Sequence, residues 1–477
     1  MADMSRTAIA AELSATADGE ATAPGIWRDP KRYAWLLGLI IPLLPLGAWF
    51  LSTRTGLGLF WYLGPLVVFG VIPIIDLAFG IDERNPPESM LYRLERDRYY
   101  RYCTYAYLPL QYASLVLACW CWGRGALSLG ASIGLALTVG CVGGIAINTA
   151  HELGHKRERL ERWLSKIALA QTGYGHFYVE HNRGHHVRVA TPEDPASSRF
   201  GESFYAFWPR TVLGSLESSL EIERTRLERT GSSFWTWNND ILSAWAMTIA
   251  LYSALLGCFG SRILPYLLLQ AVVGFSLLEV VNYLEHYGLV RQRGRDGRYE
   301  RCLPAHSWNS NRMVSNVFLY HLQRHSDHHA HPTRRYQALR TFDEAPNLPS
   351  GYATMILFAL VPPLWRRVMD PRVLSHYGGD RSRVNLGPHR GEGLDDGAAQ
   401  AATEDGGAGA NAWPGACSGA RPWRRFRCPG CAYVYDERRG NAREGFPGGT
   451  RWSAIPALWH CPECGVRDKV DFAPIDE

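Results

Sequence analysis

Long apolar stretches alternate with polar segments along this chain. Six of them have the length of a helix that spans a lipid bilayer: residues 35–51, 57–79, 105–122, 127–150, 241–259 and 263–284. About 17–25 mostly apolar residues suffice to cross the hydrocarbon core of a membrane. Six such helices buried in a soluble protein would leave too little polar surface to cover them. The pattern therefore predicts a mainly α-helical protein with six transmembrane helices.

Basic residues near the ends of these stretches predict the orientation in the membrane. Eight of them cluster before the first stretch and between the second and third: Arg28, Lys31, Arg32, Arg84, Arg93, Arg96, Arg98 and Arg101. The opposite connections carry only Arg54, Arg124 and Arg262. Cytoplasmic connections are enriched in Lys and Arg. We therefore expect a multi-pass protein of the inner (cytoplasmic) membrane. Its N-terminus, the connection between the second and third stretches, residues 151–240 and everything after 285 are expected on the cytoplasmic side.

Composition divides the chain further but adds little about partners. The 477 residues carry 50 Lys and Arg against 45 Asp and Glu, a net charge of +5, so we expect no nucleic-acid partner. Because residues 1–29 are polar, we expect a disordered tail there and no secretory signal. A Gly, Ala and Asp-rich composition predicts a flexible linker over 376–423. This leaves a membrane domain over 30–375 and a compact aromatic-rich module over 424–477.

Nine of the sixteen histidines lie in four short motifs with the spacing of metal ligands. The motifs are HELGHK (His151, His155), EHNRGHH (His181, His185, His186), NYLEHYGL (His286) and QRHSDHH (His325, His328, His329). Residues three or four apart share one helix face, and neutral imidazole is the commonest metal ligand. Because a metal site takes about four such ligands, nine histidines predict two metal ions with four or five ligands each.

Polar residues beside these motifs are candidates to hold the ligating rings in place. A carboxylate or amide accepts the second ring N–H of a ligating imidazole and so sets its tautomer. The candidates are Glu152, Glu180, Asp194, Asn282, Glu285 and Asp327. HELGH also matches the H-E-x-x-H motif of zinc metalloproteases, in which the Glu acts as general base. A protease would leave the remaining histidine motifs unexplained.

Two Cys-x-x-Cys pairs near the C-terminus predict a second kind of metal site. Cys428 and Cys431 are separated by 29 residues from Cys461 and Cys464, a spacing that suits four thiolates around one ion. Such a site takes zinc or iron, and the spacing does not choose between them. Aromatic residues around the pairs supply the core that a module of this size needs.

These motifs resemble two known families. The segments HELGHK, EHNRGHHVRVATPEDPASSRFGES, NYLEHYGL and LQRHSDHHAHPTRRYQAL resemble the transmembrane alkane 1-monooxygenases over roughly residues 30–375. The looser pattern of His motifs is shared with membrane fatty-acid desaturases. The segments CPGCAYVYD, GFPGGT and IPALWHCPECGV are similar to rubredoxin. One departure is Ala432, where rubredoxins usually have Gly; it does not touch a ligand.

The resemblance implies a diiron site held by the nine histidines and one further iron held by the four cysteines. It implies O2-dependent hydroxylation of the terminal methyl group of a medium-chain n-alkane that arrives from the membrane lipid. The fold it implies is a six-helix membrane hydroxylase with a cytoplasmic cap of His motifs, plus a small rubredoxin domain with a short β-sheet. The rubredoxin would pass on electrons that a separate flavoprotein, rubredoxin reductase, takes from NAD(P)H.

The sequence is also compatible with other functions. The nearest is a fatty-acyl desaturase or another lipid hydroxylase with the same His motifs. More distant are the metalloprotease, a metal carrier whose histidines move zinc, and a membrane electron-transfer protein without chemistry of its own. Trp49, Phe60 and Trp61 in the first two helices are candidates to limit the length of an alkane substrate.

Overall fold

The computed structural model describes residues 27–387 and 422–475, apart from positions 296 and 458. Most of the expected N-terminal tail (1–29) and most of the expected linker (376–423) lie outside the described residues. The N-terminal region contains fourteen helices that we label here: α1 (Ala34–Thr55), α2 (Gly58–Phe79), α3 (Glu88–Arg96), α4 (Arg98–Gly123), α5 (Leu129–Gly154), α6 (Arg159–Ala170), α7 (residues 177–188), α8 (Phe204–Arg229), α9 (Asp240–Phe259), α10 (Ser261–His286), α11 (Met313–Phe318), α12 (His325–Ala330), α13 (Tyr352–Ala359) and α14 (Pro362–His376).

Five of these helices, α1, α2, α5, α9 and α10, are long and apolar enough to cross a membrane. They contain five of the six stretches predicted from the sequence. The remaining stretch lies in α4, which has 26 residues but includes six tyrosines and a buried glutamine, Gln111. These polar groups lower its mean hydropathy, so five rather than six candidate spans are found in the described part of the chain.

Helix α5 forms the centre of the membrane region. In its most apolar stretch 78% of the residues are buried, against 22% for α2 and for α9. Small residues allow α10 to approach it closely, because a Cβ atom added at Gly140 would lie 2.5 Å from the side chain of Val273. Gly144 has the same role, facing Leu277 and the carbonyl of Gly274. Helices in lipid pack through small residues of this kind.

Helix α4 runs from one end of the membrane region to the other. At its start, Asp97 pairs with Arg32 at 2.5 Å, and the hydroxyl of Tyr100 donates to Asp29, close to the start of α1. At its end, the indole of Trp122 donates to the carbonyl of Arg262, in the first turn of α10. Its two ends therefore lie at opposite ends of the helical bundle.

The C-terminal domain is built on a three-stranded antiparallel sheet. The strands are β1 (Arg425–Arg427), β2 (Val434–Asp436) and β3 (Ala473–Ile475), in the order β2-β1-β3. Phe426 on β1 lies opposite Tyr435 and Pro474. Phe426, Tyr435, Trp459 and Phe472 are buried together with the four cysteines. This confirms the expected short sheet and aromatic core.

The close approach of α5 and α10 generates a testable prediction. Replacing Gly140 by Leu forces the two helices apart, because its Cβ alone would meet Val273, and we expect a loss of about 1–3 kcal/mol of stability. Gly130→Leu on the same helix is the matched control, since no atom lies within 4 Å of its added Cβ. Thermal unfolding of both variants in detergent measures the difference, and equal midpoints would contradict this account of the packing.

Candidate metal centres

The structure gathers the nine histidines of the sequence motifs into two adjacent groups. In each group the possible ligand atoms lie within 4.8 Å of one another, and every ring is buried. The first group has five members, His151, His155, His181, His186 and His328. The second group has four members, His185, His286, His325 and His329. All nine residues are thus brought to one place, at the end of the helical bundle where α5 and α10 end.

The helix that carries EHNRGHH supplies rings to both groups because its middle is a π-helical turn. Residues Glu180–His185 form this turn within α7. In a π turn, residues five apart stand closest, so His181 and His186 point into the first group. His185 points into the second group instead. The α-helical spacing in the sequence had suggested that His181 and His185 form the pair, and the wider turn changes that division.

The short helix α12 also serves both groups. His325 and His329, four residues apart, face the second group, whereas His328 faces the first. His151 in the last turn of α5 and His155 just after it both belong to the first group. His286, the last residue of α10, completes the second.

The spacing of the ring nitrogens fits metal ligands. The Nε2 atoms of His151 and His328 lie 2.8 Å apart, and those of His181 and His186 lie 3.1 Å apart. In the second group, Nε2 of His325 lies 2.8 Å from that of His329 and 3.3 Å from that of His286. Bonds of about 2.1 Å to one ion place neighbouring nitrogens about 3.0–3.4 Å apart. The distances therefore suit rings that share an ion.

Two further observations support the same fit. The Nε2 atoms of His155 and His185 are buried and have no hydrogen-bond partner among the described residues. Burial, followed by the charge of neighbouring imidazoles, holds the pKa of His181, His186 and His328 well below its ordinary value. These rings are therefore neutral at physiological pH, which is the form that binds a metal.

Some of the second ring nitrogens have partners that set the ring orientation. Nδ1 of His185 lies 2.9 Å from a carboxylate oxygen of Asp194, which also accepts from the hydroxyl of Ser197. Nδ1 of His286 lies 3.4 Å from the carbonyl of His306. Glu285 approaches His325 at 3.1 Å, but on its Nε2 side. Of the six residues expected to support the ligating rings, Asp194 and Glu285 thus contact a ring.

The other four expected supporting residues bind other groups in the described part of the chain. Glu152 pairs with Lys156 at 3.0 Å, and Glu180 pairs with Arg188 at 2.9 Å. The remaining two contact residues outside the nine histidines: Asn282 donates to Glu279, and Asp327 holds Arg334 and His331. All four side chains are buried.

The four cysteines form a separate buried site in the C-terminal domain. The sulfur atoms of Cys428 and Cys464 lie 3.7 Å apart, and those of Cys431 and Cys461 lie 3.5 Å apart. A tetrahedral ion with bonds of about 2.3 Å separates its sulfur ligands by about 3.8 Å. The four thiols therefore fit one ion.

The C-terminal domain rests directly on the helix that carries His186. A Cβ added at Gly465, next to Cys464, would lie 2.9 Å from the carbonyl of Asn182 and 3.5 Å from Cβ of His186. Gly465 has a φ of +70°, so glycine suits both its backbone and this close approach. Arg157, just after α5, pairs with Glu463 at 2.5 Å and also contacts the carbonyl of Cys431. Sequence reasoning had not identified these contact residues.

An apolar cavity lies between α2, α5 and α10, below the histidine groups. Its walls include Val68 and Ile72 on α2, Ile145 on α5 and Val281 on α10. Asn148 and Leu322, which also line it, stand three residues before His151 and His325. Trp49, Phe60 and Trp61 do not line this cavity. Its remaining walls come from residues 315–322 and 352–356, whose place beside the membrane helices has no signal in the local sequence pattern.

Comparisons with known proteins agree with the motifs. Residues 126–359 match the sequence profile of the family described as Fatty acid desaturase, and residues 425–472 match that of Rubredoxin. The chain is 50% identical over 365 residues to an Alkane 1-monooxygenase from Acinetobacter baylyi, covering 76% of this chain and 90% of that protein. It is 48% identical over 358 residues to an Alkane 1-monooxygenase from Pseudomonas putida, covering 75% and 89%.

These identities extend over about nine tenths of the length of the relatives and confirm the resemblance drawn from the His motifs. The Rubredoxin match confirms the resemblance drawn from the Cys motifs. The Fatty acid desaturase match lies within the helical bundle, and the Cys motifs lie in the segment that matches Rubredoxin. The chain therefore belongs to the alkane 1-monooxygenase family and carries a C-terminal rubredoxin domain.

Proposed function

We propose that this membrane protein hydroxylates the terminal methyl group of medium-chain n-alkanes. The reaction combines the alkane, O2, two electrons and two protons to form a 1-alkanol and water. The observation that carries the proposal is the position of the two histidine groups at the end of an apolar cavity between membrane helices. The relatives named Alkane 1-monooxygenase support the same reaction.

In this proposal the nine histidines hold two iron ions, one in each group. Iron held there would supply the redox chemistry needed to activate O2 and to oxidise an unactivated C–H bond, which zinc would not supply. The neutral buried rings provide the ligand atoms, and Asp194 orients the ring of His185. The apolar walls hold the alkane and exclude water. The uncharged alkane leaves the bilayer and enters the cavity with one end leading.

Electrons reach the histidine groups through the rubredoxin domain, which holds one further iron between its four cysteines. The contact between Gly465 and His186 supports this route, because the thiolate site and the first histidine group then lie on either side of one backbone segment. The linker keeps the domain at a high effective concentration. A separate flavoprotein reductase supplies the electrons from NAD(P)H, since no G-x-G-x-x-G motif after a strand is found in this chain.

We further propose that α4 is a sixth membrane span. Its 26 residues measure about 39 Å, enough to cross a hydrocarbon core of about 30 Å. It starts beside the start of α1 and ends beside the first turn of α10. The excess of arginines at the end that bears the histidines supports a cytoplasmic location for both metal sites, in the inner membrane.

The ligand assignment is tested by His328→Asn, with His331→Asn as the matched control. His328 lies in the first group, whereas His331 lies outside both groups and contacts Asp327. We expect His328→Asn to lose about one iron per chain while the visible absorption of the cysteine-held iron stays unchanged. Elemental analysis of the purified full chain measures the iron. Full iron content in His328→Asn, or an equal loss in the control, would remove His328 from the ligand set.

The electron route is tested by reversing a charge at the contact between the domains. Glu463→Lys places a cation against Arg157, and we expect the rubredoxin iron of the full chain to be reoxidised roughly tenfold more slowly with O2 and octane present. Stopped-flow absorption of the reduced iron measures this rate. Asp436→Lys is the control, because the contacts of Asp436 lie within the C-terminal domain. Equal rates in the two variants would contradict this route.

The substrate assignment is tested by filling the cavity. Val281→Phe adds volume between α2, α5 and α10, so we expect the longer members of an alkane series to lose roughly tenfold in 1-alkanol yield relative to the shorter ones. Leu268→Phe on the same helix is the control, because Leu268 is 54% exposed on the outer face. Gas chromatography of the products with O2, NADH and a rubredoxin reductase gives the yields. An unchanged chain-length profile would exclude this cavity, and alkene products would indicate a desaturase.

A further inference from the structure

A second, basic pocket lies on the same side of the protein as the histidine groups, where α6, the end of α8 and the start of α9 meet. It has a volume of about 580 Å³. Its cationic lining residues are Arg159, Arg162, Lys166, Arg226 and Arg443. Of the described residues that line it, Asp240 is the only carboxylate. The pocket has no part in the hydroxylation proposed above.

The carboxylates near this pocket are already engaged by part of this positive charge. One oxygen of Asp240 accepts from Lys166 at 2.8 Å, and the other contacts Arg443. Glu223 binds Arg226 through both oxygens, at 2.6 and 2.8 Å. Five cations thus face two carboxylates, and the pocket keeps a positive excess.

Two arginines in the pocket have unused hydrogen-bond donors. Arg159 is exposed and forms no ion pair with any residue that the structure describes. Arg162 donates from its Nε to the carbonyl of Lys156 at 2.9 Å, which leaves its terminal nitrogens free of protein partners in the described chain. The two residues are three apart on α6 and so share a face. Paired guanidinium groups of this kind recognise phosphate oxygens.

The pocket lies at the expected level of the lipid head groups. Asp240, in its wall, is the first residue of the candidate membrane helix α9. Leu160 and Trp163 on α6 are 59% and 47% exposed, and Trp237 on the rim is 84% exposed. Tryptophan is enriched where membranes meet water, and a helix with basic residues beside exposed Leu and Trp is typical of an interfacial helix.

We propose that this pocket binds the phosphate group of an anionic membrane lipid. The phosphate lies between Arg159 and Arg162, and the acyl chains extend along Leu160 and Trp163 toward the bilayer. Arg443 belongs to the rubredoxin domain, so the bound head group contacts both domains of the chain.

Native mass spectrometry of the full chain in detergent tests this proposal. The protein is titrated with phosphatidylglycerol, and with phosphatidylcholine as the zwitterionic comparison. The double variant Arg159→Gln/Arg162→Gln is expected to lose at least roughly tenfold in affinity for phosphatidylglycerol, since each guanidinium contributes charged hydrogen bonds. Arg159→Lys/Arg162→Lys, which keeps the charge, is expected to retain a preference for the anionic lipid and shows that α6 still folds.

The matched control is Arg366→Gln/Arg367→Gln, an exposed arginine pair on α14 that removes the same charge elsewhere. It is expected to bind phosphatidylglycerol as the unaltered chain does. An equal loss in both Gln pairs would mean that overall charge, rather than this pocket, attracts the lipid and would overturn the proposal. Displacement of the lipid by millimolar inorganic phosphate would equally overturn it, because the ligand would then be a soluble anion.

Discussion

The burial of nine imidazoles in one small volume is the constraint on which the rest of this structure depends. A buried ring nitrogen without a partner is costly, and two Nε2 atoms have none among the described residues. A cation bound in each group would remove that cost and would couple metal binding to the stability of the fold. Helices α5, α7, α10 and α12 must therefore bring their histidines close together, since the ligand atoms of each group lie within 4.8 Å.

Close helix packing in the membrane region meets this requirement. Gly140 and Gly144 let α10 lie directly against α5, so that His151 and His286, in the last turns of these helices, both reach the histidine groups. The same packing leaves the apolar cavity between α2, α5 and α10. One arrangement of helices therefore sets both the distance between the histidine groups and the shape of the space below them.

Arginine contacts link the rubredoxin domain to the surface that bears the histidine motifs. Arg157 pairs with Glu463, and Arg229 approaches Glu444 at 3.5 Å. In the opposite direction, Arg443 of the rubredoxin domain contacts Asp240 at the start of α9. These pairs lie around the contact of Gly465 with α7, so they orient the domain, while the backbone contact brings the thiolate site close to His186.

Local sequence was sufficient to predict the apolar helices, the histidine and cysteine motifs and the family, because each depends on residues near one another along the chain. Hydropathy alone does not identify α4 as a candidate span, because its tyrosines and Gln111 lower the mean hydropathy of this long helix. Which histidines share a group depends on the tertiary structure, as the π turn that separates His181 from His185 shows. The residues that line the cavity and the position of the rubredoxin domain also depend on the tertiary structure, because packing brings those residues together from distant parts of the chain.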